Sequence, residues 1–228
     1  MPSPFKFVIV VAACAAAAVV ARAAGDEFAF DHLSLNVGDP AGATEWYASR
    51  LGGAPDGDAA VRFGSVRLSF RKSATSKPSE GSVIDHLAFA VDSMPSGFSQ
   101  DPWGTRIEIV RTKSAEKLHH IHVLATNPDA TMTWLTQTFG GARARVEGLD
   151  GVMYGPVLVA VERVDHEPAP AAGHVIDHMG WTTSNLDAAA AALMTAGVKF
   201  TTQPRTVGNL RMAFVEGPNQ LRVEIVQR

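Results

Sequence analysis

The sequence predicts an α+β protein made of four tandem βαβββ units, paired in two halves (28–112 and 118–228), with the second unit truncated. Three observations predict it. Four segments begin alike: FDHLSLNV (30–37), IDHLAFAV (84–91), LHHIHVLA (118–125) and IDHMGWTT (176–183), each with a His at the same place. The first and third continue in parallel at a spacing of 88 residues, which matches Pro40 with Pro128, Trp46 with Trp134 and Gly52-Gly53 with Gly140-Gly141. The second and fourth share an ending, DPWGTRIEIV (101–110) and GPNQLRVEIV (217–226). Self-similarity of this kind marks a repeated structural unit.

Each opening segment alternates apolar residues with polar or small ones, the period-two pattern of a half-buried strand. In the first, His32, Ser34 and Asn36 share one face, and Leu33, Leu35 and Val37 share the other. The apolar face is expected to pack on a helix, and the His face to point into what the curved sheet encloses. Asp39-Pro40 and Asn127-Pro128 open helices as N-cap and first helical residue, and the Gly pairs stop them. The strands AAVRFG and VRLSFRKS follow in the first unit, and GVMYG and VLVAVERV in the third. In the fourth, Ser184-Asn185 caps an Ala-rich helix that Gly197 ends, and KFTTQ, RMAFVE and LRVEIVQR close the chain. His86 lies 92 residues before His178, but Glu108 lies 116 before Glu224. The 24 residues that the second unit lacks amount to a helix and a strand, leaving its first and last strands. Loop composition marks linkers at 73–82 (SATSKPSEGS), 112–117 (TKSAEK) and 166–174 (HEPAPAAGH).

Residues 1–24 are set apart from this pattern. Lys6, an apolar run from Phe7 to Ala21 and the A-x-A-like Ala21-Arg22-Ala23 read as a secretory signal peptide, which implies a periplasmic or secreted protein. An uncleaved anchor needs about 20 apolar residues, more than this run supplies. A lipoprotein reading rests on Val11-Ala12-Ala13-Cys14, but leaves Ala15–Ala21 on the mature chain. Cleavage near residue 23 removes the one Cys, so the fold must rest on an ordinary core or on metal. The chain carries a net charge of −3, with 46% hydrophobic and 19% charged residues. That balance excludes a disordered chain. The lack of a Lys/Arg run argues against nucleic acid as a partner, and no membrane association is expected after signal cleavage. A single Cys excludes zinc-finger spacing. No phosphate loop, nucleophile elbow or Cys nucleophile stands out.

The recurring His32, His86, His120 and His178 join Glu108 and Glu224, each on a closing strand beside Arg106 or Arg222. Two His and one Glu per half, held on inward strand faces, form a facial triad suited to Fe, Mn or Zn, with open positions for a small molecule. A structural His bonded to neighbouring backbone is the alternative, but a buried carboxylate needs a partner. His122 shares the face of His120 and is expected to line the cavity. His119 is expected to face the helix. Trp46 and Trp134 read as core residues. Arg106 and Arg222 are open to an anionic ligand or to solvent.

The DH-initiated strands, the helices ending in LGG or FGG, and DPWGTRIEIV with its partner resemble the vicinal oxygen chelate superfamily. This superfamily includes glyoxalase I, extradiol dioxygenases, and fosfomycin and bleomycin resistance proteins. The resemblance covers 28–228. It implies paired units forming open barrels that each cup a divalent ion (Fe, Mn, Zn or Ni), and a small-molecule substrate. Carried over, the ligands are His32, His86 and Glu108 in one half and His120, His178 and Glu224 in the other. It also implies that units can pair across two chains, as in a homodimer. Two departures bear on the activity. The further carboxylate of glyoxalase I falls on Ser69 and about Ala160, with Glu162 two residues out of register. The Tyr of extradiol dioxygenases falls on Phe214, and no His follows His178. Lyase, isomerase and dioxygenase chemistry therefore stay open, as does a non-catalytic, metal-free sequestering role.

Overall fold

The computed structural model describes residues 28–92, 94–112 and 117–228. The expected signal segment 1–24 lies outside the described residues, as do positions 113–116 of the expected link. Unit one is β1 (Ala29–Val37), α1 (Pro40–Leu51), β2 (Ala54–Pro55), β3 (Ala60–Phe63) and β4 (Val66–Lys72). Unit two is β5 (Ile84–Phe89), β6 (Gly97–Gln100) and β7 (Arg106–Ile109). Unit three is β8 (Leu118–Ala125), α2 (Pro128–Phe139), β9 (Ala142–Val146), β10 (Leu149–Tyr154) and β11 (Val157–Arg163). Unit four is β12 (Ile176–Thr183), α3 (Leu186–Thr195), β13 (Lys199–Val207), β14 (Leu210–Glu216), a 3-10 turn (Pro218–Gln220) and β15 (Arg222–Gln227). No described helix is long and apolar enough to cross a membrane.

The helices start where the sequence places them. Asp39, Asn127 and Asn185 each accept a hydrogen bond from the amide three residues on, which satisfies a donor that the helix leaves open. Gly52 ends α1 in the left-handed region at φ 71°. Unit two keeps one strand more than expected. Gly97–Gln100 forms β6 because Asp101 accepts from the amides of Trp103 (2.9 Å) and Thr105 (2.7 Å), which turns the chain back onto β7. Tyr47 donates to the same carboxylate at 2.7 Å, tying α1 to this turn.

The units pair differently from the expected halves. One sheet runs β13-β14-β15-β12-β1-β4-β3-β2, so unit one joins unit four. The other runs β6-β7-β5-β8-β11-β10-β9, so unit two joins unit three. In each, the two opening strands pair antiparallel, β1 with β12 and β5 with β8. This pairing makes the chain pass between the sheets at 73–82 and again at 166–174. The two linkers run side by side: Lys77 bridges His174 and Ser82 bridges Ala169, both in parallel. Each linker thus supplies hydrogen bonds to the other's backbone, including Val83 N–H to Ala169 O at 2.7 Å.

The expected faces hold. Leu33, Leu35 and Val37 are fully buried, and a single core runs through both sheets. Helices carry it across: Tyr47 of α1 lies against Phe89 of β5, and Phe139 of α2 stacks on Trp181 of β12 with ring centroids 4.4 Å apart. Trp46 and Trp134 pack against that core. With the apolar faces committed, the opposite face of each sheet's opening strands is left to line a cleft.

Candidate metal centres

The exchange of partners regroups the ligand sets. All six expected residues lie in two clusters, but their membership follows the sheets. His32, His178 and Glu224 form the first centre; His86, His120 and Glu108 form the second. The sets carried over by resemblance, with His32 beside His86 and His120 beside His178, do not assemble, because β1 pairs with β12 and β5 with β8.

At the first centre, Glu224 Oε2 lies 2.9 Å from His32 Nε2 and 3.3 Å from His178 Nε2. The other ring nitrogens are held from behind: His32 Nδ1 by Asp31 at 2.9 Å and His178 Nδ1 by Asp177 at 2.6 Å. A carboxylate behind Nδ1 keeps the proton there and turns the Nε2 lone pair forward. Arginines brace those carboxylates in turn, Arg228 on Asp31 and Arg222 on Asp177.

The second centre repeats this chain as Arg106–Asp85–His86, with His86 Nδ1 2.7 Å from Asp85. Glu108 Oε2 lies 3.3 Å from His86 Nε2 and 3.4 Å from His120 Nε2. His119 is a correction. Expected to face a helix, it lines the cleft with His120, their Nδ1 atoms 2.9 Å apart. The register between β5 and β8 shifts at this end, so two residues oppose one and the alternation breaks. His122 also lines this cleft, its Nδ1 3.4 Å from His120 Nε2 and its Nε2 2.7 Å from Glu162.

The electrostatics follow from these partners. Burial raises the Glu224 carboxyl, but His178 and His32 outweigh it and hold the pKa at about 2. Burial lowers His32, and Asp31 and Glu224 outweigh it, so its pKa rises; His86 behaves alike beside Asp85 and Glu108. His120 has no carboxylate behind it. Burial and the neighbouring His122 and His86 push its pKa down to about 3. His122 is also lowered, by burial first and then by His86.

The donor sets fit a divalent cation. In each centre, imidazole nitrogens gather around a carboxylate oxygen, Glu224 in the first and Glu108 in the second. The Nε2 atoms of His86 and His178 are buried with no hydrogen-bond partner, and a buried acceptor left unpaired is costly. The donor atoms of His32, His178 and Glu224 lie within 4.8 Å of one another, as do those of His86, His120 and His122.

Around this shared plan the clefts differ. The first, ≈ 390 Å³, is lined by Arg67, Arg71, Arg205, Arg222 and Arg228, with Glu224 its one carboxylate. Arg67 is tied to Asp56 and Ser69. Arg71 and Arg205 have no ion-pair partner among the described residues. The second, ≈ 550 Å³, is lined by Asp85, Glu108, Glu147 and Glu162 against Arg106 alone. In both, a Phe stands over the His and beneath an Arg: Phe214 with His178 and Arg222, Phe98 with His86 and Arg106, each guanidinium 4.0 Å from the ring centroid. Sequence reasoning missed the three Asp residues behind the His rings, although the recurring Asp-His dipeptide was their signal. It also missed Arg67, Arg71, Arg205 and Arg228, which carry no motif.

Comparisons agree with this architecture. Residues 117–225 match the model of the Glyoxalase/Bleomycin resistance protein/Dioxygenase superfamily. No curated protein matches the chain. Among solved structures, glyoxalase I from Zea mays is 18% identical, covering 89% of this chain and 93% of its own, with a TM-score of 0.63. A putative dioxygenase from Bacillus subtilis is 17% identical, covering 90% of this chain and 86% of its own, with a TM-score of 0.62. At that identity the likeness is one of fold. The match over residues 117–225 is thus to the same superfamily that the repeated His and Glu strands of the chain resemble.

Proposed function

We propose that this protein is an exported, metal-dependent member of that superfamily, which binds an anionic, oxygen-bearing small molecule at the His32–His178–Glu224 centre for lyase, isomerase or dioxygenase chemistry. The observation that carries the reading is that ring nitrogens of His32 and His178 and a carboxylate oxygen of Glu224 lie within 4.8 Å of one another, with the buried Nε2 of His178 left without a hydrogen-bond partner. A divalent ion there supplies Lewis acidity to a chelated oxygen pair. The chain's own residues do the rest. Asp31 and Asp177 fix the imidazole tautomers and ring directions. Arg71 and Arg205 are free to pair with a carboxylate or phosphate of the bound molecule. Met212 and Phe214 wall the cleft with apolar surface that excludes water. The signal-like residues 1–24 support export.

One observation favours a second reading, a protein that retains its ligand without turning it over. Apart from the trio, no His, Tyr or carboxylate lines the first cleft, so any proton transfer there falls to Glu224 or to the ligand's own oxygens. Mass spectrometry of protein recovered from the periplasm or medium, purified without chelators, tests both export and metal. The expected result is a mature start near residue 24 and a stoichiometric Fe, Mn, Zn or Ni. A chain that stays metal-free after reconstitution refutes metal dependence and leaves retention as the function.

A further inference from the structure

We infer that His122 is a fourth protein ligand, which closes the second centre into a four-donor site of zinc type. The inference rests on the metal reading above and adds a ligand to it. The geometry is in the separations. His86 Nε2 to Glu108 Oε2 is 3.3 Å, His120 Nε2 to Glu108 Oε2 is 3.4 Å, and His120 Nε2 to His122 Nδ1 is 3.4 Å. With metal–ligand bonds of about 2.0–2.1 Å, the edge of a coordination tetrahedron is about 3.3–3.4 Å. Three consecutive edges of one tetrahedron are thus already in place.

The environment of His122 supports the role. The residue is 5% exposed and lies face to face with His86, ring centroids 4.3 Å apart. Its Nε2 is 2.7 Å from Glu162, so Nε2 keeps the proton and the Nδ1 lone pair faces His120. A carboxylate on the far nitrogen is the arrangement that orients a metal-binding imidazole and raises its basicity. Glu162, two residues out of register for a direct ligand, reaches His122 for this second role.

The first centre shows what the substitution changes. The repeat places Ser34 where the second centre has His122. Ser34 sits opposite Ser69 in the β1–β4 ladder, and His122 opposite Ala160 in the β11–β8 ladder. Three protein donors leave a coordination position open for a ligand; four close it. Three imidazoles and one carboxylate suit a four-coordinate divalent ion such as zinc, so the second centre holds its ion for the fold.

Cobalt(II) reports coordination number by absorbance, independently of activity. Full-length mature protein is stripped by chelator, its first centre is disabled by His178→Ala, and cobalt is titrated in. The expected result is the intense visible spectrum of four-coordinate cobalt. His122→Ala and the bulkier His122→Gln should weaken those bands and lower cobalt affinity at least about tenfold, whereas Glu162→Gln should keep the bands and lower affinity about tenfold. Circular dichroism checks each fold. If both His122 variants keep the spectrum and affinity while His86→Ala abolishes them, His122 is a cavity residue and the inference falls with the metal reading intact. If neither the His178→Ala background nor the unsubstituted protein binds cobalt, the metal reading itself falls, and the inference with it.

Discussion

Gly180→Ala should silence the first centre while leaving the second in place. Gly180 lies opposite His32 in the β1–β12 ladder. A Cβ at residue 180 would meet His32 Cε1 at 2.0 Å and both ring nitrogens at 2.4 Å, so the ring must leave its position. Overpacking of this kind costs about 1–3 kcal/mol. In a chain of this size that lowers Tm by about 2–12 °C. The displaced ring also loses its 2.9 Å contact with Glu224. Burial raises that carboxyl, and His178 and His32 together hold it at about 2. A depressed carboxyl pKa stabilises the fold above its unfolded value of 4.5 and stops doing so as pH falls toward 2. The whole shift is worth on the order of 3 kcal/mol, and Gly180→Ala should remove part of it. Thermal unfolding of chelator-stripped protein between pH 2 and 7 should therefore show a shallower acid loss in the variant than in its parent. Metal analysis should show ion retained only at the second centre, whose His rings Gly180 does not touch. Two occupied centres at parental affinity, with an unchanged acid limb, would falsify the claim that the missing Cβ makes room for the ligand.

Further predictions concern the first cleft, the core and the second centre. Exchanging Arg71 and Arg205 for Gln should weaken binding of oxalate, measured by calorimetry at fixed ionic strength, by about tenfold or more, since a hydrogen bond to a charged group contributes about 1.5–3 kcal/mol; metal content should not change, and unaltered oxalate affinity would count against an anionic ligand. Tyr47→Phe removes a buried donor from Asp101 and should cost about 1–3 kcal/mol in urea unfolding, through the turn that carries β7 and Glu108. His120 has its pKa pushed down to about 3, first by burial and then by His122. The folded state then binds fewer protons than the unfolded one below pH 6.5, so stripped protein loses stability as pH falls from 6.5 toward 3. His120→Gln should flatten that limb, and identical pH profiles would rule the effect out.

Face assignment was legible in the sequence, and partner assignment was not. Alternation in FDHLSLNV specifies which side chains share a side of β1, because successive residues of a strand point oppositely. It says nothing about which strand lies next to β1. All four opening strands share one pattern, so each can accept any other as neighbour. The observed pairing goes with the two linkers, whose parallel bridges at Lys77–His174 and Ser82–Ala169 join segments of unrelated composition. Hence the six expected residues gather in two clusters, but with their partners exchanged. His119 was misplaced for a local reason, a register shift that composition does not announce. The Arg71 and Arg205 side chains were illegible because they act through position alone, and only the folded cleft brings them beside His32.

The same strand geometry explains how two copies of one plan came to differ without disturbing the core. On β1 and β8 the cleft-facing positions include Ser34 and His122; on β4 and β11 they are Ser69 with Arg71 and Ala160 with Glu162. Ser34, His122, Ser69 and Ala160 each lie between residues buried in the core, such as Leu33 and Leu35 or Ile121 and Val123. Substitution on the cleft face leaves the packed face untouched, so it carries little of the cost that core substitution does. Among these positions, one exchange puts Glu162 where the first cleft has Arg71, and another puts His122 where it has Ser34. The requirement shared by both versions is the Asp behind each DH imidazole, braced by Arg228, Arg222 or Arg106. That bracing fixes the DH His rings before any ion arrives. The residues free to vary are the ones that decide whether the ion also faces a ligand.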